Sequence, residues 1–567
     1  MTKGADGAKY VYFAAFLIMC LLLQTNVGAF NADLGRTGDE SGHFVTSVMV
    51  FDFLSGRHFW HPLSFAINYY QHFPRVAIGH WPPFFYVLQA LFFFFAGPSL
   101  PSACVLQAVI GAAAAGVPAS LAYRRWGAVA GFFAGCLVLL SPPFADMVST
   151  VMVDNLCGLM ILLSALAWAK FWKERNWTSA LVLTGISICT ALTKGNALGL
   201  VLMPAIFCCL NRNAGILRCY KTWVAAVVIG VVVIPWYVLT YKMTAAGFEY
   251  SFGWRFTSLA LPEYSTFLLS AIGIPALAGL LVMLWRLART RREEQDPYLT
   301  ALASAVISLF VFQAIAPAAI NARYLMSLLP AAAPLAVGGI ALIGRAVEDY
   351  VGRFEFDWHK RAPAAITSLF VGIVVSISLV ATPAVSRVEP TEMRSAAKAV
   401  FMSGASNPLV LVCANPDSEG AFIAAFAELE PAPRHYVIRG SQAFATMSWI
   451  NTGYRSFVTS PSQVKQWVDG HQIGWLVIER SRRSMDWSHN RTVAALVDSK
   501  PTNWRQAAYF QYAGDKVEVY ALPASRSVPT KISETIASVL SRSNAQAGFG
   551  SMARSWNVFP TARTRPH

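Results

Sequence analysis

Charged side chains are scarce in this chain. Only 13% of its 567 residues are Asp, Glu, Lys or Arg, and 55% are hydrophobic, whereas a soluble domain carries about 25% charged residues. So small a supply of charge cannot cover a water-soluble globule of this length. The positive mean hydropathy of +0.46 supports the same conclusion. Lipid must therefore solvate much of the chain.

Cysteine patterns for metal binding or disulfide formation are missing. The nine cysteines include no CxxC or CxxH spacing, which argues against a zinc site or a disulfide framework. Most of them lie inside apolar runs, where cysteine is usually a small buried hydrophobe. These are Cys20, Cys104, Cys136, Cys157, Cys189, Cys208 and Cys209.

The formal net charge of +15 does not indicate nucleic-acid binding. The basic residues collect in short loops between apolar runs, as at Arg124-Arg125 and over 286–292. This placement is the positive-inside pattern of membrane proteins. We therefore expect the bilayer, and no nucleic acid, as a partner.

Apolar runs long enough to cross a bilayer recur over the first 387 residues. A span needs about 20 apolar residues, and we predict eleven spanning helices. We interpret the first as an uncleaved signal anchor, although Val27-Gly28-Ala29 would also suit a signal-peptide cleavage site. The predicted spans are 10–30, 103–123, 127–143, 155–171, 178–193, 197–211, 222–241, 267–286, 299–317, 325–344 and 364–384.

One further apolar run is too short to cross the membrane. It covers about a dozen residues from Phe84 and ends at Gly97-Pro98, so we predict an interfacial helix over 84–97. With the N-terminus inside, the inner loops then hold 18 lysines and arginines and the outer segments up to residue 384 hold 7. Treating 84–97 as a span would reverse every later loop and remove this asymmetry. The first outer loop is accordingly 31–82.

The composition changes after the predicted membrane domain, which covers 1–387. Short β-rich runs alternate with helical ones, and we predict a small extracytoplasmic α/β domain over 388–524. Residues 525–567 are rich in Ser, Ala, Arg and Thr, so we expect them to be disordered. The predicted strands are 409–413, 436–438, 474–478 and 516–522, and the predicted helices are 418–429 and 462–468.

Polar residues near the span ends collect on the predicted outer side. Ionisable groups at membrane depth are costly and usually functional, so their collection on one side favours a common site. They are Asp33, Asp39, Glu40, His43, His80, Asp146, Asp154, Asn155, Lys194, Arg323 and Tyr324.

Each of these residues also has a simpler interpretation. Asp39-Glu40 can open a helix and Asp154-Asn155 can cap one, since acids suit helix N-termini. Lys194 can be a lysine whose ammonium group reaches water from a helix end. His80 can be structural, and Arg323 can anchor to a lipid phosphate.

Glycosyl transfer from a membrane-anchored sugar phosphate suits this set of residues. A carboxylate can take the proton from the acceptor, and Lys or Arg can stabilise the departing lipid phosphate. The main alternative is a secondary transporter, which typically has internal repeats and broken helices that meet at the bilayer midplane. We find no internal repeat in the sequence. A non-catalytic membrane scaffold is a third interpretation.

Four short motifs, in order, resemble those of the GT-C glycosyltransferases. The resemblance is closest to the bacterial protein O-mannosyltransferase-like and lipid A aminoarabinose transferase-like group. The motifs are Asp39-Glu40-Ser41-Gly42-His43-Phe44, His80-Trp81-Pro82-Pro83, Val153-Asp154-Asn155 and Thr193-Lys194-Gly195; Arg323-Tyr324 ahead of Leu329-Pro330 fits more loosely.

The resemblance implies an α-helical polytopic GT-C fold and an inverting transferase. The implied donor is a polyprenyl- or dolichyl-phosphate sugar, and the acceptor is an extracytoplasmic protein, lipid or glycan. The implied site faces the outer side of the bacterial inner membrane. By this resemblance Asp39, Glu40 and Asp154 are catalytic, Lys194, Arg323 and Tyr324 bind the donor phosphate, and His43 and His80 support the first outer loop.

The resemblance leaves the need for a metal open. Where aminoarabinose transferases carry Glu-Lys-Pro before the interfacial helix, this chain has His80-Trp81-Pro82. A metal role for that glutamate does not carry over, so His80 is the candidate ligand if a divalent metal takes part. No other cofactor is implied.

Overall fold

The computed structural model describes residues 3–245, 247–351, 365–380, 385, 387, 390–447, 451–526, 529 and 532–543. The chain divides into two compact units, each assembled from separate stretches. The first, called here the helical unit, comprises Met1–Val27, Cys104–Leu239 and Phe248–Arg387. The second, called the mixed unit, comprises Gly28–Ala103, Thr240–Gly247 and Val388–His567.

Long apolar helices dominate the first part of the chain. In the described residues, seven helices are long and apolar enough to cross a membrane, and shorter apolar helices accompany them, as in an integral membrane protein. The helices up to residue 380 are Lys3–Val27, Gly38–Ser55, Pro62–His72, Phe84–Ala96, Leu100–Leu139, Pro142–Val148, Asp154–Glu174, Trp177–Ala191, Met203–Leu210, Tyr220–Ala245, Trp254–Arg289, Pro297–Ile315, Ala322–Met326, Leu329–Val351 and Ala365–Val380; 3-10 turns cover Ala29–Asn31, Gly195–Leu202, Gly215–Arg218 and Arg292–Glu294.

Most of the predicted spans coincide with these helices, but the span 197–211 falls on the 3-10 turn Gly195–Leu202 and the short helix Met203–Leu210. The predictions 103–123 and 127–143 are two halves of Leu100–Leu139, which break at Gly127, where φ is +88°. Glycine tolerates this left-handed conformation without steric cost. Residues 381–384 of the last predicted span lie outside the described residues.

Small residues allow close helix packing in the helical unit. A Cβ on Gly339 would overlap the carbonyl oxygen of Gly279, so the helices Trp254–Arg289 and Leu329–Val351 touch backbone to backbone at this point. Membrane helices use small residues in this way because lipid tails supply no hydrophobic driving force between helices.

Much of the predicted first outer loop, 31–82, is helical. Residues 38–55 and 62–72 form helices in the mixed unit. The run predicted as an interfacial helix over 84–97 forms Phe84–Ala96, a helix of 13 residues. At about 1.5 Å per residue it is too short to cross a bilayer core of about 30 Å.

A mixed five-stranded sheet forms the core of the C-terminal α/β region. The strand order is β2-β1-β5-β7-β6; β2, β1 and β5 are parallel, β7 is antiparallel to β5, and β6 is antiparallel to β7. The strands are β1 Leu409–Cys413, β2 Tyr436–Arg439, β3 Ala445–Thr446, β4 Arg455–Ser456, β5 Trp475–Glu479, β6 Arg505–Tyr512 and β7 Asp515–Ala521; β3 and β4 form a separate pair. The helices here are Met393–Met402, Pro416–Leu429, Gly440–Ala443, Pro461–Gly470, Arg482–Met485, Ser488–Asp498 and Ile532–Ser543, and a 3-10 turn covers Pro523–Arg526.

Residues 532–543, part of the segment 525–567 that was expected to be disordered, instead form a helix. Ile532–Ser543 buries Ile536, Val539 and Leu540 in the apolar cluster around the sheet. The helical spacing of these three side chains puts them on one face. A segment poor in apolar residues can therefore still pack as a helix. Residues 544–567 lie outside the described residues.

The two units also differ from the predicted domains. The sequence assigned residues 28–103 to the membrane domain 1–387, whereas these residues belong to the same compact unit as residues 388–567. The first outer segment is thus built together with the α/β region. The helix Gly38–Ser55 packs against Pro416–Leu429.

Candidate active site

A buried ion pair lies inside the helical unit. The Lys194 ammonium (Nζ) donates to Asp154 Oδ1 at 2.5 Å, and their side chains are only 6% and 2% exposed. Asp154 begins the helix Asp154–Glu174, and Lys194 immediately precedes the 3-10 turn Gly195–Leu202. Removing two charges from water costs several kcal/mol per ion. Stability alone therefore does not account for the pair.

Two further predicted residues join this pair. The Lys194 ammonium lies 5.0 Å from the ring centroid of Tyr324, and the Arg323 guanidinium lies 5.5 Å from the same centroid. Asn196 Nδ2 donates to the Tyr324 carbonyl oxygen at 3.4 Å. Two cations thus share one aromatic ring, an arrangement that cation–π attraction favours.

Polar atoms beside the pair are buried without a hydrogen-bond partner in the described part of the chain. They are Asp154 Oδ2 and both side-chain polar atoms of Asn155. Gln107 Nε2 donates to the Met152 carbonyl oxygen at 2.7 Å, while its Oε1 is likewise unpaired. Buried polar atoms of this kind cost about 1–3 kcal/mol each, so a hydroxyl-rich ligand would gain by bonding to them.

A buried arginine organises the first outer segment in the mixed unit. The Arg75 side chain donates from Nη2 to the Gly38 carbonyl oxygen at 2.5 Å and from Nε to Ser41 Oγ at 3.3 Å. Burial lowers the pKa of Arg75 to about 10, although the carboxylates of Asp417 and Asp39 act in the opposite direction. Arg75 is therefore a buried cation with acidic neighbours.

Asp39 and Glu40 lie in the first turn of the helix Gly38–Ser55. The helix dipole favours acids there, so the simpler interpretation is correct about their position. Glu40 is buried, whereas Asp39 is half-buried. Asp39 also interacts electrostatically with Arg75, and a residue that only begins a helix would not need this interaction.

The two histidines predicted to belong to the site, His43 and His80, differ in their surroundings. His43 is buried; its Nδ1 lies 3.0 Å from Tyr86 Oη, and its ring centroid lies 4.7 Å from that of Trp81. Burial lowers the pKa of His80 to about 4, while Asp39 acts to raise it. His80 is therefore neutral at neutral pH. His43 is part of the aromatic packing against the helix Phe84–Ala96.

The described residues contain no recognisable ligand set for a metal ion. Across the residues that the structure describes, no group of three or more His, Cys, Asp or Glu side chains is arranged to hold one. We therefore derive no step through a metal at His80.

The α/β region contributes its own buried charges to the mixed unit. Glu419 accepts from Arg439 Nε at 2.9 Å and from the Ser441 amide at 2.9 Å. A Cβ on Gly420 would come within 3.1 Å of Arg75 Nε. The first turns of the helix Pro416–Leu429 thus lie directly against Arg75.

The arrangement of helices matches a known fold. The family of dolichyl-phosphate-mannose-protein mannosyltransferases matches residues 80–239. The crystal structure of ArnT from Cupriavidus metallidurans bound to undecaprenyl phosphate matches with a TM-score of 0.55 at 15% identity, over 89% of this chain and 97% of that chain. The chain has the fold of ArnT, which is the GT-C fold.

A second structure supports the GT-C assignment. ArnT from the same organism in the apo state matches with a TM-score of 0.52 at 16% identity, over 91% of this chain and 99% of that chain. No curated protein matches the sequence. At such low identity the likeness concerns the fold and leaves the substrate undetermined.

Within this GT-C fold the predicted site residues fall into two clusters. Asp154, Lys194, Arg323 and Tyr324 belong to the helical unit, and Asp39, Glu40, His43 and His80 belong to the mixed unit. Sequence reasoning missed Arg75 and Asp417. The signal for Asp417 is its place just after β1, because functional residues in α/β sheets gather at the carboxyl ends of parallel strands.

Proposed function

We propose that this GT-C protein transfers a sugar from a polyprenyl-phosphate donor to an extracytoplasmic acceptor, with inversion at the anomeric carbon. The observation that carries the proposal is the buried cluster of Asp154, Lys194, Arg323 and Tyr324 in a protein of this fold. The ArnT structure of the same fold contains undecaprenyl phosphate. The sugar and the acceptor are left open.

In the proposed reaction the acceptor hydroxyl attacks the anomeric carbon from the face opposite the lipid phosphate. Asp39 takes the proton of that hydroxyl, and the bond between the anomeric carbon and the phosphate oxygen breaks. The bonding electrons leave with the phosphate, so the products are the glycoside and the polyprenyl phosphate. A single displacement of this kind inverts the configuration.

The cations of the helical unit would stabilise the departing phosphate. Lys194 and Arg323 can each make charge-assisted hydrogen bonds to phosphate oxygens, which are about twice as strong as neutral ones. Asp154 would hold the Lys194 ammonium in position through the contact of 2.5 Å. Tyr324, whose ring lies beside both cations, would restrict their rotamers.

A direct test uses the purified protein in lipid nanodiscs with undecaprenyl-phosphate-linked pentose or hexose. The proposal predicts release of undecaprenyl phosphate that depends on an added acceptor extract. The breaks at Gly127 and Gly273 also suit a secondary transporter, since broken helices are common in that class. Movement of a labelled envelope precursor across proteoliposomes, without release of lipid phosphate, would favour the transporter.

We also propose that the mixed unit faces the extracytoplasmic side of a bacterial plasma membrane. The support is the ratio of 18 inner to 7 outer basic residues. Trp60, which is 89% exposed, and Arg291 lie on opposite sides in this threading. A cysteine at position 60 should react with a membrane-impermeant maleimide in intact cells with a permeabilised outer membrane. A cysteine at 291 should not react, and the reverse pattern would refute the orientation.

A further inference from the structure

The carboxyl ends of three parallel strands meet at one edge of the α/β sheet. β1 ends at Cys413, β2 at Arg439 and β5 at Glu479. In α/β folds, ligands and reactive side chains gather at this edge, where the strand order changes direction. In this chain the helix that follows β1 begins there with Asp417 and Glu419 in its first turn.

The first outer segment lies directly against this edge within the mixed unit. A Cβ on Gly38 would stand 2.8 Å from Asp417 Oδ1 and would overlap Arg75 Nη2. A Cβ on Gly420 would overlap Ser41 Oγ. The first turns of the helices Gly38–Ser55 and Pro416–Leu429 are therefore in contact. Gly38 immediately precedes Asp39.

Arg75 is the cation that the two segments share. It donates to the Gly38 carbonyl oxygen and interacts electrostatically with Asp417, Asp39 and Glu419. Glu419 already receives a charge-assisted bond from Arg439. Arg439 and Arg483 also act on Asp417. Asp417 and Asp39 nevertheless share Arg75 as a neighbouring cation.

We propose that Asp417 of the α/β region is a positioning residue that acts through Arg75 to set the basicity of Asp39. The inference rests on the proposed function, because it assumes that Asp39 takes the proton of the acceptor. The α/β region then has a part in the chemistry in addition to any role in binding the acceptor.

The direction of the effect follows from the charges around Asp39. Arg75 is the facing cation, and it stabilises the Asp39 carboxylate. Asp417 draws on the same cation and repels Asp39, so its charge makes Asp39 the stronger base. His80 and Tyr86 also face Asp39, and both are neutral at neutral pH.

The pKa of Asp417 agrees with this coupling. Burial raises that pKa, Arg75 lowers it, and Asp39 raises it. Electrostatic coupling between two sites is mutual, so the Asp417 and Asp39 carboxylates repel each other.

The test is the pH dependence of kcat/KM for release of lipid phosphate by the full chain. Asp417→Asn should move the acidic limb of the profile to lower pH by roughly one unit, because it removes a negative charge that repels Asp39 and competes for Arg75. Arg75→Lys should move the limb to higher pH, because a lysine ammonium cannot interact with both segments as the planar guanidinium does. Asp469→Asn, an exposed carboxylate paired with Lys465 in the same region, is the matched control and should leave the limb in place.

The two shifts of opposite sign make the inference falsifiable even if one variant fails to fold. An unshifted limb in either active variant overturns it, as does an equal shift in Asp469→Asn. If the proposed function were wrong, a different result would be seen: Asp39→Asn would transfer sugar at a normal rate. If Asp39→Asn is inactive and the limb does not move, only the role of Asp417 is refuted.

Discussion

Two buried carboxylates, one in each unit, differ in their hydrogen bonding. In the helical unit the Lys194–Asp154 pair is enclosed by apolar helices, and Asp154 Oδ2 has no hydrogen-bond partner among the described residues. In the mixed unit a buried carboxylate such as Asp33 accepts from the Thr391 amide and hydroxyl and from the Met393 amide. A carboxylate oxygen that accepts three hydrogen bonds is explained by structure. An incompletely hydrogen-bonded charge pair that is buried costs stability, which favours a functional role.

The largest effect should come from separating the members of the buried pair. Lys194→Met leaves the Asp154 carboxylate buried without its cation and should cost about 3–5 kcal/mol of stability. The double variant Lys194→Met/Asp154→Leu should recover most of this loss without recovering transfer. Thermal unfolding in detergent and release of lipid phosphate measure the two quantities separately.

The control for this comparison is a more exposed pair in the same unit. Arg125 and Asp296 are 21% and 35% exposed and lie 2.6 Å apart, so Arg125→Met should cost only about 1 kcal/mol or less. If the double variant at 194 and 154 regained both stability and transfer, the buried pair would be purely structural.

The mixed unit should respond to acid through a buried histidine. His489 is fully buried, and burial lowers its pKa to about 4, below the value of about 6.5 expected in the unfolded chain. Between these values the unfolded state binds the proton more readily. The contribution of His489 is therefore complete above about pH 6.5 and is lost as the pH falls towards 4, by at most roughly 3 kcal/mol.

This pH dependence can be measured as the melting temperature between pH 7 and pH 4.5. His489→Leu should flatten the curve, because the leucine has no proton to gain. His61→Gln changes an exposed histidine and should leave the curve as it is. An equal slope in His489→Leu and the unmodified protein would contradict the assignment.

A smaller effect should follow from separating the two helix starts of the mixed unit. Gly420→Ala introduces a methyl group that would overlap Ser41 Oγ, and such overpacking typically costs about 1–3 kcal/mol. A Cβ on Gly470, in the helix Pro461–Gly470, would meet nothing within 4 Å. Gly470→Ala should therefore be close to neutral, and equal melting temperatures for the two variants would show that the helices can move apart.

The sequence predicted elements well wherever burial left a local pattern. The spans follow from apolar runs, and β1 and β5 are buried at every residue, which matches the predicted strands 409–413 and 474–478. The strand β6, Arg505–Tyr512, was missed because all its residues are exposed or half-buried, so no apolar alternation marks it. The helix Ile532–Ser543 was missed because only a few apolar residues define its buried face.

The candidate site was predictable only in part. Ordered motifs led to Asp154, Lys194 and Tyr324, and the structure brings these side chains together. Arg75 and Asp417 were missed because their contact joins two segments that are far apart along the chain. Local periodicity carries no information about such a pairing.

The central claim is that a carboxylate at position 39 takes the proton of the acceptor. Release of undecaprenyl phosphate by Asp39→Asn in nanodiscs tests it most directly, with Glu40→Gln as the neighbouring control. Both variants lose a charge in the first turn of the same helix, which should cost each about 0.3–1 kcal/mol of stability. Asp39→Asn should fold and bind the donor, but its transfer rate should fall by at least roughly 10²–10⁴-fold, as is typical when an acid–base group is removed. The transfer rate of Glu40→Gln should fall much less. Near-normal release by Asp39→Asn would contradict the account, and if Glu40→Gln alone were inactive the base would be Glu40.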